Sequence, residues 1–203
     1  MDKSLLELIK KHEGFRTNIY KDSGGTKTIG YGFTASVLTG KDGRPSMKDF
    51  KKGMTQAQAD EILEKYVLPE FINQVKSEVS NYDSLPVEQQ NALVDLNYRN
   101  GIGNLKDSGI FDAVNNNDFG LASEIVMTSD SLNKSGGKVL QPGDAGYDGI
   151  KKRNQGLADT FSTYTPQVMS SATTVEQDNV SGNEKDSEIK NKENLNLLRN
   201  KAS

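Results

Sequence analysis

The 203-residue sequence contains no cysteine, which excludes disulfides, thiol nucleophiles and thiolate metal sites. It holds a single histidine, His12, which has no partners for a metal site and reads as a helix-surface residue. Long apolar runs are missing too. The opening MDKSLLELIKKHEGF is interrupted by Glu7, Lys10 and Lys11, so it is too short and too charged for a membrane span or the core of a signal peptide. The chain is therefore expected to be made in the cytoplasm without a signal peptide and, if it acts outside, to be delivered by something else. Nor is there an excess of charge of one sign. With 25 basic and 28 acidic residues the net charge is -3 and the pI about 5.3, which gives no electrostatic footprint for nucleic acid or an anionic membrane. Hydrophobic residues make up 33% of the chain, below the ~45–50% of an ordinary domain, so part of it is expected to bury little.

That part is the C-terminal end. Residues 166–203 carry no aromatic residue and are dominated by Ser, Thr, Asn, Lys and Glu, a composition that cannot form a core alone. Within this polar tail, Glu184 to Arg199 shows Ile189, Leu195 and Leu198 and reads as a weak helical docking segment. Residues 1–165 are long enough for one domain.

Along that domain, Leu5, Leu8 and Ile9 share one face of a helix over 4–13, with Ser4 as N-cap and Gly14 as the residue that ends it. Two short β-type runs, 18–21 and 27–31, flank the turn Asp22-Ser23-Gly24-Gly25-Thr26 and read as a hairpin. Residues 34–53 are polar and irregular, with a helical turn at Met47 to Phe50. Thr55 caps a long helix whose apolar spacing runs through Ile62, Leu63, Phe71, Val75 and Val79, kinked near Val67 to Pro69. Another helix runs from Pro86 to Gly101, with Ala92, Leu93, Val94 and Leu96 inward. Helices over 109–116 and 118–128 follow, then a glycine-rich loop over 129–149 and a last helix over 150–164 with Ile150, Leu157, Ala158 and Phe161 inward. The expected class is α+β: a small N-terminal β-hairpin lobe over about 14–55 and a larger helical lobe over about 70–165, joined by the long helix, with a cleft between them.

Glu13 on the last helical turn, Asp22 at the start of the glycine-rich turn and Thr28 on the returning strand bring three oxygen-bearing side chains toward one cleft. Each alone has an ordinary reading: a solvated terminal Glu, a turn-forming Asp, a β-branched strand residue. A helix C-terminus and any burial both favour the protonated form of a carboxyl there.

Four separated motifs make the chain resemble the phage-type lysozymes, muramidases that cut peptidoglycan. The E-x8-D-x5-T spacing from Glu13 through Thr28 runs into TIGYG; MTQAQADEILEKYVLPEF resembles the helix joining that family's lobes; ALVDLNYRNG resembles its cleft-lining F-N-x-G helix end; and SGGKVL followed by GIKKR resembles its segments before the last helix. The resemblance covers roughly residues 5–162. It implies a lysozyme-like fold and hydrolysis of the β-1,4 bond between N-acetylmuramic acid and N-acetylglucosamine. Glu13 would be general acid, Asp22 the ionised carboxylate that helps activate water, and Thr28 the residue that positions it. This division fits a reaction needing one protonated and one ionised carboxyl, separated by ~6.5–9.5 Å if the anomeric centre inverts. No cofactor or metal is implied.

By the same resemblance Arg153 pairs with Glu13, although read alone it is an ordinary surface arginine of the last helix. Tyr98 and Arg99 match cleft residues, and Tyr98 is either a sugar-stacking ring or a core aromatic. Besides the tail, which has no family counterpart, three departures stand out. Phe33 replaces the usual histidine after GYG, Lys152-Arg153 replaces an Arg pair, and Gln141 to Asp148 is an extra stretch. The implied partner is bacterial peptidoglycan, reached either as a free endolysin after holin-dependent release or as a virion component. The tail 166–203, as a docking segment for other virion or tail proteins, and the acidic pI lean to the second setting. The alternative is a lysozyme-fold structural component without activity, against which the intact Glu13, Asp22 and Thr28 speak.

Overall fold

A computed structural model describes residues 3–22, 24–135 and 137–163. Helix α1 (Lys3–Glu13) buries Leu5 and Ile9, one turn apart on a single face. Lys10, Lys11 and His12 in its last turn complement the helix dipole. Gly14, at φ +66°, then turns the chain out of the helix. With Lys3 already helical, Ser4 lies inside the first turn instead of capping it, and its hydroxyl accepts a bond from the Asn91 amide at 2.7 Å.

Strands β1 (Arg16–Lys21) and β2 (Lys27–Gly30) form the expected hairpin, antiparallel, with Tyr20 opposite Thr28 and Lys21 opposite Lys27. A register shift between Arg16 and Tyr20 bends β1. The two strands differ in burial: β1 is exposed along almost its whole length, whereas Thr28, Ile29 and Gly30 of β2 are buried. Behind β2 pack Tyr31, Phe33 and Met54, the two rings meeting edge-on at 6.2 Å. Gly30 stands at φ +65° where a Cβ would lie 2.9 Å from the Phe33 ring and 3.0 Å from the Met54 sulfur, so only glycine fits.

Thr55 caps α2 (Gln56–Ile62) through a reciprocal box with Gln58. The kink expected at Val67 to Pro69 takes the form of a widened π-helical turn over Leu63–Val67 before α3 (Leu68–Glu78), whose first turn holds the proline. Proline has no N–H to return to the preceding turn and its ring crowds that turn's carbonyl, which the wider turn accommodates. Asp60 fastens this connector to both neighbours, accepting from Lys10 of α1 at 2.9 Å and from the Tyr31 hydroxyl at 2.7 Å.

Helix α4 (Val87–Asn100) is the centre of the helical part: every residue from Asn91 to Asn97 is buried, the polar Asn91, Asp95 and Asn97 included. Around it lie α5 (Ile102–Ser108), α6 (Ile110–Asn115), α7 (Phe119–Thr128) and α8 (Tyr147–Ser162). Helix α5 has no counterpart in the pattern reading, because Leu105 is its one buried residue and no side chain caps its start. The stretch expected as a loop over 129–149 contains a second small hairpin, β3 (Lys134–Ser135) with β4 (Lys138–Val139), and α8 begins at Tyr147 instead of Ile150. Gly146 at φ +88° starts that helix and Gly149 lies in its first turn, so glycine content is a misleading loop signal there. One apolar core runs from Leu5 and Ile9 through Ile29, Phe33 and Leu93 to Phe161. Among the described residues no helix is long and apolar enough to cross a membrane. The tail 166–203 and its segment 184–199 lie outside the described residues.

Two glycines predict opposite signs. Gly30→Ala is expected to lower unfolding free energy in urea by about 1–3 kcal/mol, from backbone strain and overpacking. Gly156, inside α8 with no atom within 4 Å of an added Cβ, is expected to gain roughly 0.5–1 kcal/mol as Gly156→Ala. Equal shifts for both would contradict the packing described around Gly30.

Candidate active site

Three helices converge on one guanidinium. Arg153 of α8 reaches across to α4, where its Nε donates to Asp95 Oδ2 at 3.0 Å and its Nη2 donates to Asp95 Oδ1 at 2.8 Å and to the Asp95 carbonyl at 3.2 Å. Its remaining arm, Nη1, donates to Glu13 Oε1 at 3.1 Å at the end of α1. His12 closes the group from the same helix end, with Nδ1 2.9 Å from Asp95 Oδ2. Since an ionised carboxylate only accepts, that nitrogen carries the hydrogen. Asp95 is fully buried, while the Arg153, His12 and Glu13 side chains are 8%, 15% and 22% exposed. Exposure thus rises from the buried anion toward Glu13, whose carboxyl is the most open member of the group.

His12 is therefore no helix-surface residue. Its ring is largely buried because α1 packs on α4 and turns its last residues onto Asp95. Asp95 and His12 are the participants that pattern reading missed, and Asp95 had a visible signal. A carboxylate flanked by Leu93, Val94 and Leu96 on the buried stretch of α4 demands a cationic partner.

Asp22 sits at the end of β1. Its Oδ1 accepts from the backbone N–H groups of Gly24 and Thr26, both at 2.9 Å, and its own N–H bonds the Thr26 carbonyl at 3.0 Å. These bonds fix the turn, and among the described residues Oδ2 carries none, which leaves one carboxylate oxygen to solvent. Thr28 is buried and donates its hydroxyl to the Thr26 carbonyl at 3.1 Å. It lies opposite Tyr20, and directly paired residues project on one face of a hairpin. Tyr20 also reports the charges around it: burial raises its hydroxyl above the ordinary range, Arg16 opposes this, and the nearby Asp22 and Glu13 add to it. Tyr20, on the hairpin face that bears Thr28, thus feels the charge of both carboxyls.

Tyr98 packs its ring on Phe71 at 5.1 Å and gives its hydroxyl to the Tyr31 carbonyl. Burial, then the charge of Glu13, raise its proton affinity. Arg99 donates to the Lys134 carbonyl at 2.9 Å, tying α4 to the second hairpin. Burial and the neighbouring Arg153 charge lower its pKa. Between these groups and the acid lies Gly32, where an added Cβ would come 3.8 Å from Glu13 Oε2 and 4.0 Å from the Tyr98 hydroxyl. Those are ordinary contact distances, and it is the φ of +89° that favours glycine there. A groove of about 930 Å³ between α1, α4 and α8 is lined by Leu8, His12, Ile150, Arg153 and Leu157 but by neither Glu13 nor Asp22, so it borders the charge network without containing either candidate carboxyl. Among the described residues no group of acidic and histidine side chains is arranged to hold a metal.

The Phage lysozyme family model matches residues 10–155, from the end of α1 into α8. The chain belongs to the phage lysozyme family. Its similarity to the endolysin of Bacillus phage B103 is 32% identity over 160 residues, 78% of this chain and 52% of that protein. This member of the family thus spans about half the length of the curated relative it matches. The endolysin from Escherichia coli O157:H7 phage FAHEc1 superposes with a TM-score of 0.59 at 26% identity, over 81% of this chain and 96% of that one. The muramidase domain of SpmX from Asticaccaulis excentricus superposes with a TM-score of 0.57 at 22% identity, over 80% and 97%, and shares the fold. The phage lysozyme fold is thus the α+β arrangement described above.

Removing the cation at the centre of this site strands a buried anion. Arg153→Ala is expected to lower unfolding free energy in urea at neutral pH by about 3–5 kcal/mol. Arg153→Met combined with Asp95→Leu is expected to recover most of it, since a buried pair replaced as a whole costs little. A loss below about 1 kcal/mol for the single variant, the range of an exposed pair, would contradict this.

Proposed function

We propose that the chain hydrolyses the β-1,4 glycosidic bond between N-acetylmuramic acid and N-acetylglucosamine of bacterial peptidoglycan. Glu13 protonates the leaving glycosidic oxygen. Asp22, ionised and held by the turn, activates a water through its free oxygen and stabilises the oxocarbenium-like charge, and Thr28 accepts a bond from that water. The proton of the water passes to Asp22 as its oxygen bonds the anomeric carbon from the opposite face, so the configuration inverts and the carboxyls stand ~6.5–9.5 Å apart. What supports this reading is a partly open carboxyl bonded by Arg153, and a second carboxyl fixed on the hairpin turn, in a chain of the phage lysozyme family.

We read residues 1–165 as the catalytic part and 166–203 as a segment that docks on other virion or tail proteins. In that setting the protein opens the wall locally from the particle. In the other it is a free endolysin released through a holin-dependent lesion. Peptidoglycan is the substrate in both, and neither metal nor organic cofactor takes part.

With purified peptidoglycan, Glu13→Gln is expected to lower the release of new reducing ends by about 10²–10⁴-fold. Release equal to that of the parent would remove Glu13 from the reaction. A chain lacking residues 167–203 is expected to keep nearly full release from isolated peptidoglycan while losing co-purification with particles. A large loss of release would contradict this division.

A further inference from the structure

We infer that Asp95 is a positioning residue of the catalytic acid: it occupies the two-point fork of Arg153, so that Glu13 receives a single hydrogen bond and stays able to carry a proton. This rests on the reading of Glu13 as general acid. A guanidinium presented to a carboxylate by its fork makes two parallel bonds, the strongest arrangement that pair has. Offered to Glu13, that geometry would hold it as the carboxylate, the wrong form for protonating a leaving group. Here the fork, Nε and Nη2, is spent on Asp95 at 3.0 and 2.8 Å, and the Asp95 carbonyl takes a further bond from Nη2. Only Nη1 is left for Glu13, at 3.1 Å.

The charges act in the same sense. A full cation at hydrogen-bonding distance from a carboxyl favours its ionised form, but Asp95 is a full anion directly behind this cation. Glu13 therefore faces a neutralised pair. The arrangement has a cost, because an Asp in mid-helix among Leu93, Val94 and Leu96 is both a poor helix former and a fully buried charge. His12 helps to offset that cost by bonding the same Oδ2 from α1, the element that carries Glu13. Both ends of the network thus return to one helix terminus, which fixes the spacing between fork and acid.

Other charged and titratable groups lie on the elements around Glu13 and stay in place when Asp95 is changed. On its own helix these are Lys10, which is paired with Asp60 and Glu7, together with Lys11 and His12. From the hairpin come Tyr20, Arg16 and Asp22; from α4, Tyr98 and Arg99; from α8, Arg153 and its neighbour Lys152. None of them can take both fork nitrogens of Arg153 from where the hydrogen bonds hold it.

The test is the pH dependence of reducing-end release by the full chain, together with a carbon-13 titration of the Glu13 carboxyl, for the parent, Asp95→Asn and Arg153→Lys. Asp95→Asn keeps the shape but removes the charge. The alkaline limb of its profile and its Glu13 titration are both expected to move to lower pH by about one unit, as a freed cation at this distance requires. Arg153→Lys keeps a cation that can serve Asp95 but has no fork, and its limb and titration are expected to move the opposite way. In Arg153→Gln, adding Asp95→Asn is expected to give a smaller downward shift than in the parent, since only the direct charge of Asp95 is then removed. Unmoved midpoints in a folded Asp95→Asn would overturn the inference and leave Asp95 a structural residue. If Asp95→Asn does not fold, Arg153→Lys alone decides, and a shift to lower pH or none overturns it. If the parent releases no reducing ends, the reading of function fails, and the Glu13 titrations still decide whether Asp95 governs that carboxyl.

Discussion

A single cation holds this site together. Arg153 is nearly buried, is bonded to a fully buried carboxylate and reaches the one carboxyl that is partly open. Because the three partners lie on α1, α4 and α8, the packing of those helices cannot change without breaking charged bonds in the protein interior. Helix packing thereby becomes positional control of Glu13. A buried ion pair is weak in net stability against an apolar replacement but strongly resists losing one member. Such a device serves specificity of geometry, and the geometry here ends at Glu13.

The hairpin serves the opposite carboxyl by different means. Asp22 is fixed by backbone N–H groups of its own turn, with no cation involved, and β1 is exposed while β2 anchors the lobe through Ile29, Tyr31 and Phe33. Asp60 joins this lobe to α1 through Lys10 and Tyr31. The buried Phe33 fills its place in the core without any ionic partner. One carboxyl is therefore held by a buried charge network and the other by a local turn, so the two groups have different surroundings.

Much of this was legible in the chain because it is encoded locally. The Thr55 cap, the disturbance before Pro69, the hairpin around Gly24 and Gly25, and the apolar face of α4 each depend on neighbouring residues. The Glu13 to Arg153 contact, spanning 140 positions, came from matching motifs and not from any physical signal in the residues between. What stayed hidden was set by tertiary packing. His12 looks like a surface residue until α1 is laid on α4. Asp95 shows in the sequence as a carboxylate within an apolar stripe, but its partner stays hidden until Arg153 arrives from α8. The helix over Ile102–Ser108 and the second hairpin have too few buried side chains for periodicity to register, and the glycines before α8 mimic a loop that ends three residues earlier.

The central claim is that Glu13 and Asp22 cleave one glycosidic bond with inversion. The most direct measurement is the identity and anomeric form of the new reducing end, read by proton NMR on fragments from purified peptidoglycan within the first minutes of digestion. The account predicts N-acetylmuramic acid at the new end, in the α form before it equilibrates. A β product, an N-acetylglucosamine end, or fragments cut only at peptide bonds would contradict it.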